Sequence, residues 1–300
     1  MFRWAAAGKQ REWRRLIVVV LATLPLVGFT AAVRAGAPAS AKARRVMSMN
    51  ACTDQLVMLL LPPARIASVT YLAKSAAQTP ALAAEARTLK VNHGLAEEML
   101  SEKPDLVLAG PYSTSAARRL AKQAGVPLLV ADAPQTFEDI RRLTRAVADA
   151  VGEPERGEAL IHRMDATLAA LKATGPSRPI ATVAWNGGGR IPGKGSLFYA
   201  ILSAAGGEDV AAGPADFERS LDLEQLLALN PKPDLLLFAS SGAGKPSLQE
   251  GLAQHPVLTR DYGGRRVITP DYECGTPASA DQAAALRAEM LKALNQTRRH

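Results

Sequence analysis

The sequence predicts an α/β fold of two lobes built on parallel sheets, and three observations carry that prediction. Strand-length apolar runs alternate with helical patterns in both halves of the chain. Two long helical stretches with almost no strand between them separate the halves. One helix–proline–strand unit recurs on either side of those helices. A length of 300 residues suits two such lobes better than one core.

The elements follow in order. Residues 45–49 read as a short buried strand, and a helix over 53–61 starts on Thr53 and Asp54 and stops at Pro62-Pro63. Residues 65–69 form a second strand, and 95–102 a helix. Lys103-Pro104-Asp105 turns into the strand 106–109. A helix over 115–124 is capped by Gly125 and followed by the strand 126–130. Two helices then span 137–151 and 155–173, the second with Leu160, Met164, Leu168 and Leu171 on one face. Alternation resumes with a strand over 180–185, helices near 196–205 and 223–229, strands over 235–238 and 266–268, and a closing helix over 279–294. In the recurring unit, Glu97 opens a helix seven positions before Pro104 and Glu224 does the same before Pro231, each followed by an Asp-Leu strand.

Composition narrows the function classes. Apolar residues make up 48% and charged residues 21%, as in a folded chain rather than a disordered one. The net charge of +8 is concentrated at the start: without residues 1–35 the chain has 30 basic and 27 acidic residues, a net of +3. The remaining basic residues are scattered and form no stripe interleaved with aromatics, which argues against nucleic-acid binding. Residues 1–35 read as an export signal: a basic stretch ending at Arg14-Arg15, an apolar run from Leu16 to Val33 broken by Pro25 and Gly28, then small residues. The alternative is a retained anchor, for which the run is short. Cys52 lies too far downstream for lipid attachment, so a soluble periplasmic protein is expected. The expected organisation is a signal (1–35), an N-terminal lobe (36–136), a helical connector (137–175) and a C-terminal lobe (176–300).

Ligands of open parallel sheets bind beyond the carboxyl ends of the strands, so the loops there are the place to look. They hold Asn50, Cys52 and Thr53; Tyr71; Gly110-Pro111-Tyr112; Trp185, Asn186 and Arg190; Ser240-Ser241-Gly242; and Tyr272, Glu273 and Cys274. Aromatic residues are only 5% of the chain, yet Tyr71, Tyr112, Trp185 and Tyr272 all fall in these loops, which suits a large, flat or greasy ligand with polar edges. The alternative is that each ring covers the end of its sheet. Arg190 and Glu273 suit a charged ligand edge or an exposed ion pair. In an oxidising compartment, Cys52 and Cys274 are candidates for a disulfide across the cleft edge, with free thiols or plain burial as the other readings.

Other motifs fail. Gly188 to Lys194 spells G-x-x-x-x-G-K, but Gly195 stands where a magnesium-binding Ser or Thr is needed. His93, His162, His255 and His300 show no paired-ligand spacing, and no G-x-S-x-G elbow exists. No catalytic residue and no resident cofactor or metal is expected.

The stretch Arg45-Val46-Met47-Ser48-Met49-Asn50-Ala51-Cys52-Thr53-Asp54-Gln55-Leu56 resembles the opening strand–loop–helix of class III periplasmic binding proteins, the family of vitamin B12 and ferric-siderophore binders. Arg65 to Val69, Lys103-Pro104-Asp105-Leu106-Val107 and Gly125-Val126-Pro127 match in the same order. Ala51 often stands as proline in the family and Gln55 as glutamate, and the cysteine pair is not general. The resemblance implies two Rossmann-like lobes joined by a long helix, with the ligand cleft between them. It implies an ABC importer's binding protein, a monomer that carries a metal chelate, either an iron-siderophore or cobalamin, to a permease dimer with its ATPase subunits. It also implies that Glu97 and Glu224 dock onto that permease. The alternatives are a binder of a bare metal ion, disfavoured because the strand-end loops contain no histidine, and a secreted enzyme, for which only Cys52 and Cys274 come near a nucleophile.

Overall fold

The computed structural model describes residues 42–75, 79–111, 113, 115–185, 189–214, 219–239, 251, 254–269, 272 and 274–297. The export signal expected over 1–35 lies outside them, as do Tyr112, Asn186, Glu273 and the loop 240–242. Among the described residues no helix is long and apolar enough to cross a membrane.

The first half is a parallel five-stranded sheet. Its strands are β1 (Val46–Ser48), β2 (Ile66–Thr70), β3 (Val91–Asn92), β4 (Leu106–Ala109) and β5 (Leu128–Val130), in the order β3-β2-β1-β4-β5. Its helices are α1 (Ala51–Leu60), α2 (Pro80–Ala86), α3 (Ala96–Glu102) and α4 (Ser115–Gln123). Side-chain alternation sends consecutive strand residues into two different cores. Val46, Leu106 and Leu108 pack with Leu56 and Leu60 of α1 on one face. Met47 and Val107 pack with Met99, Ala117 and Ala121 on the other.

The second half repeats the plan with a four-stranded parallel sheet, in the order β11-β10-β6-β8. The strands are β6 (Ile180–Ala184), β8 (Gly207–Asp209), β10 (Leu235–Ala239) and β11 (Arg266–Thr269). A separate antiparallel ribbon pairs β7 (Arg190–Ile191) with β9 (Arg219–Ser220). The helices are α7 (Leu197–Ala204), α8 (Leu223–Leu227), α9 (Pro256–Tyr262) and the closing α10 (Ser279–Thr297). The recurring sequence unit makes the same contact in each half. The Asp105 N–H donates to the Arg45 carbonyl beside β1 at 3.1 Å, and the Asp234 N–H donates to Ala181 of β6 at 2.7 Å.

Between the sheets run α5 (Phe137–Val151) and α6 (Pro154–Ala173). Thr136 caps α5 by accepting from the Asp139 N–H, and Gly152 ends it with φ +73°, a conformation a side chain would strain. Each helix feeds both cores. Val147, Ala148, Val151 and Leu160 belong to the first-sheet core. Ile140, Met164 and Leu171 belong to the second. Arg65 clasps this connector to the first half, donating to the Ala43 carbonyl at 2.7 Å, to the Val151 carbonyl at 2.5 Å and to Glu153. Buried Arg287 does the same in the second half, donating to the carbonyls of Leu171, Ala204 and Ala205. The fold is the expected one of two Rossmann-like halves on parallel sheets; two helices, α5 and α6, join them where the resemblance implied one long helix.

Candidate functional site

The five strands of the first sheet end at one cavity of about 430 Å³. Each strand contributes to its lining: Asn50, Cys52 and Thr53 after β1, Tyr71 after β2, His93 after β3, Pro111 and Ser113 after β4, and Asp132 after β5. In the sheet order, β1 and β4 are the neighbours from which the chain winds outward in both directions, the usual place for a ligand in an open sheet.

The residues after β1 are held by backbone demands. Asn50 is the N-cap of α1, and its Oδ1 accepts from the backbone N–H of Cys52 at 2.9 Å and of Thr53 at 3.4 Å. Thr53 is buried, its hydroxyl 2.7 Å from the Ser48 hydroxyl. Asn50 and Thr53 therefore line the cavity while their oxygens are already engaged in shaping it. Beneath them the buried Asp54 accepts from the Thr70 hydroxyl at 2.5 Å and the Thr70 N–H at 3.1 Å. Burial outweighs these bonds and a further one from Ser48, and pushes the Asp54 carboxyl up to about 6.

Tyr71 and His93 form the aromatic part of the lining. Tyr71 is 54% exposed and its ring stacks on His93, centroids 5.3 Å apart and planes 21° from parallel. His93 escapes the sequence reading because β3 has only two residues, of which Asn92 is buried and Val91 is exposed. The statement that the strand-end loops lack histidine is therefore corrected: His93 directly follows β3. The available signal is Asn92-His93-Gly94, a turn-forming stretch at the end of a short β pairing. Asn92 fixes the spot, donating to the Ser48 carbonyl and the Ser68 hydroxyl at 2.8 Å each while accepting from the Gly94 N–H at 3.1 Å.

Glu98 of α3 secures His93. Its carboxylate accepts from the His93 N–H at 2.8 Å and the Leu95 N–H at 3.0 Å, and its Oε1 lies 3.1 Å from His93 Nδ1. Partial burial opposes the ionised form, but these bonds and the neighbouring imidazole outweigh it and hold the Glu98 carboxyl below its usual range.

Cys52 and Cys274 are joined in a disulfide, with Cα atoms 5.0 Å apart, and both line the same cavity. The bridge ties the start of α1 to the segment between β11 and α10.

The structure does not bring Trp185 into this cavity. Its backbone N–H extends the β6–β10 ladder to the Leu237 carbonyl, so side-chain alternation turns the indole into the core with Val183 and Phe238. Trp185 is 4% exposed and its Nε1–H donates to the Leu221 carbonyl at 2.8 Å. Gly189, at φ +84°, permits that approach, since a Cβ there would run into the same carbonyl oxygen. Arg190 sits exposed on the β7–β9 ribbon. Tyr272 is buried against Phe198, ring centroids 5.8 Å apart, and burial pushes its phenol up to about 12. Glu97 and Glu224 are both exposed, and each is the second residue of its helix. Among the described residues no group of three or more His, Cys, Asp or Glu is placed to hold a metal ion.

Residues 46–260 match the family described as Periplasmic binding protein, from β1 into α9, which takes in the first sheet and three of the four strands of the second. The chain belongs to the periplasmic binding protein family. Solved structures share its fold. The periplasmic heme-binding protein RhuT from Roseiflexus sp. RS-1 superposes with a TM-score of 0.66 at 24% identity, over 84% of this chain and 99% of that one. The vitamin B12-binding protein BtuF of Vibrio cholerae superposes at 0.58 and 18% identity, over 84% and 98%. An Fe3+-hydroxamate transport protein from Saccharomonospora viridis superposes at 0.62 and 18% identity, over 83% and 93%. One curated relative, the imidazole glycerol phosphate synthase subunit HisF of Frankia casuarinae, is 31% identical over 147 residues. That match takes in 42% of this periplasmic binding protein, which spans about half, 56%, of its curated relative.

Proposed function

We propose that this chain is the periplasmic capture component of an ABC importer and that its cargo is a metal chelate, a planar iron porphyrin ahead of a ferric siderophore or cobalamin. The observation that carries this reading is the Tyr71–His93 stack, with a half-exposed phenol at the edge of the cavity. A phenolate or an imidazole is a suitable axial ligand for porphyrin iron, and stacked flat rings suit a flat macrocycle. The described lining of the cavity carries Asp132 and no lysine or arginine. That charge suits a polyanionic siderophore less well than a macrocycle whose carboxylates stay at the solvent edge. Heme binding in several proteins of the same fold, including those from Roseiflexus and Pseudomonas aeruginosa, supports the same choice.

The exposed glutamates Glu97 and Glu224 are proposed as the docking points for the permease dimer, one from each half. Rim charges of this kind set orientation and encounter rate more than affinity.

The reading is tested by titrating the purified protein with hemin, cyanocobalamin and ferrichrome, followed by absorbance and by calorimetry. Saturable, one-to-one hemin binding at micromolar concentration or below, with weak or no binding of the other two, is the expected result. Tight binding of ferrichrome or cyanocobalamin with none of hemin overturns the porphyrin assignment, and no binding of any chelate overturns the cargo class.

A further inference from the structure

We propose that Glu98 is a positioning residue of the cargo site, fixing His93 as the tautomer that carries its lone pair on Nε2 and holding its ring as the support for Tyr71. The role in cargo binding rests on the chelate reading above; the placement of His93 does not.

An ionised carboxylate can only accept, so the 3.1 Å contact between Glu98 Oε1 and His93 Nδ1 requires the proton on Nδ1. In the neutral imidazole the lone pair then lies on Nε2. The same carboxylate takes the His93 N–H and the Leu95 N–H, so backbone and side chain of His93 are gripped by one group. Glu98 is itself fixed, since it sits in the first turn of α3, where a carboxylate satisfies N–H groups the helix leaves open. The imidazole held this way lies 5.3 Å, centroid to centroid, from the Tyr71 ring, and both rings line the cavity.

A histidine on an exposed loop otherwise samples several rotamers and both tautomers. With 60% of its side chain exposed, packing alone does not lock the His93 ring. The Glu98 carboxylate supplies the restraint. Carboxylates that orient an imidazole in this way change the metal affinity of its site by about 10–100-fold when removed.

The test combines two measurements on the purified protein. The first is ¹⁵N NMR of histidine-labelled protein without cargo, with the His93 signals assigned through a His93→Gln variant. Wild type is expected to show the Nδ1–H tautomer as the dominant neutral form of His93. Glu98→Gln, whose amide can accept or donate at Nδ1, is expected to mix the tautomers while leaving His162 and His255 unchanged. A dominant Nε2–H form in wild type, or no change in Glu98→Gln, overturns the placement of His93.

The second is hemin affinity in a double-mutant cycle. Glu98→Gln is expected to weaken hemin binding by roughly 10-fold and to add nothing further in a His93→Phe background. Unchanged affinity in Glu98→Gln, or additive losses, overturns the role in cargo binding. If wild type binds no hemin, the porphyrin reading and this role fall together, and the NMR result still decides what Glu98 does to His93.

Discussion

Cys52 and Cys274 lie 222 positions apart and are joined by a disulfide that forms part of the wall of the cavity lined by Tyr71 and His93. Cys52 belongs to α1 over the first sheet, and Cys274 to the segment leaving the second sheet. The bridge therefore adds a second covalent tie between the halves, besides the α5–α6 connector.

Removing that tie has a measurable cost. A loop of this length restrains the unfolded chain strongly, and loss of such a bridge typically costs about 2–5 kcal/mol. The Cys52→Ser/Cys274→Ser double variant is expected to unfold at lower urea by that margin, and wild type treated with dithiothreitol to match it. Coincident unfolding curves for reduced and oxidised protein would show that the bridge contributes nothing.

Asp54 predicts a pH dependence of opposite sign to that of most carboxylates. Its folded pKa is about 6 against a usual 3.8, because burial dominates. Between those values the folded protein keeps a proton that the unfolded chain has lost. Its contribution is therefore fully present below pH 4 and is lost as pH rises through about 6, amounting to at most about 3 kcal/mol. Asp54→Asn is expected to gain stability over wild type at pH 7 compared with pH 4.5, measured as urea midpoints. A difference between the two proteins that stays constant with pH contradicts the burial account.

Trp185 is packed in the core, and it is expected to contribute stability rather than cargo affinity. Trp185→Phe leaves the Leu221 carbonyl without its indole donor and opens a small void, at a cost of about 2–3 kcal/mol. The expected result is a lower denaturation midpoint with cargo affinity unchanged within about twofold. A large loss of affinity with full stability would place the indole in the cleft instead.

How much of this was legible depended on how strongly each residue's role follows from its neighbours. Helices with caps and faces, such as α5 between Thr136 and Gly152, stood at their expected bounds. So did β4, with four consecutive buried apolar residues. Short elements did not show: β3 has two residues, and the pair β7–β9 four, too few for a period. His93 was hidden for that reason. Trp185 was misplaced for another. It closes the expected strand 180–185 and opens the loop after it, so both faces stood open; the ladder hydrogen bond keeps it in strand geometry, which puts the indole on the core face with Val183. The Glu98–His93 contact spans five positions and joins a turn to a helix start. Geometry of that kind follows from where β3 ends, and no spacing rule contains it.

The central claim is that a planar chelate sits on Tyr71, and the most direct measurement is the absorbance titration of hemin into wild type and Tyr71→Phe side by side. Wild type is expected to bind hemin saturably, with the charge-transfer band characteristic of phenolate–iron. The claim predicts loss of that charge-transfer band and at least about tenfold weaker binding in the variant, which keeps the ring and loses only the hydroxyl. Identical spectra and affinities for the two proteins would contradict it.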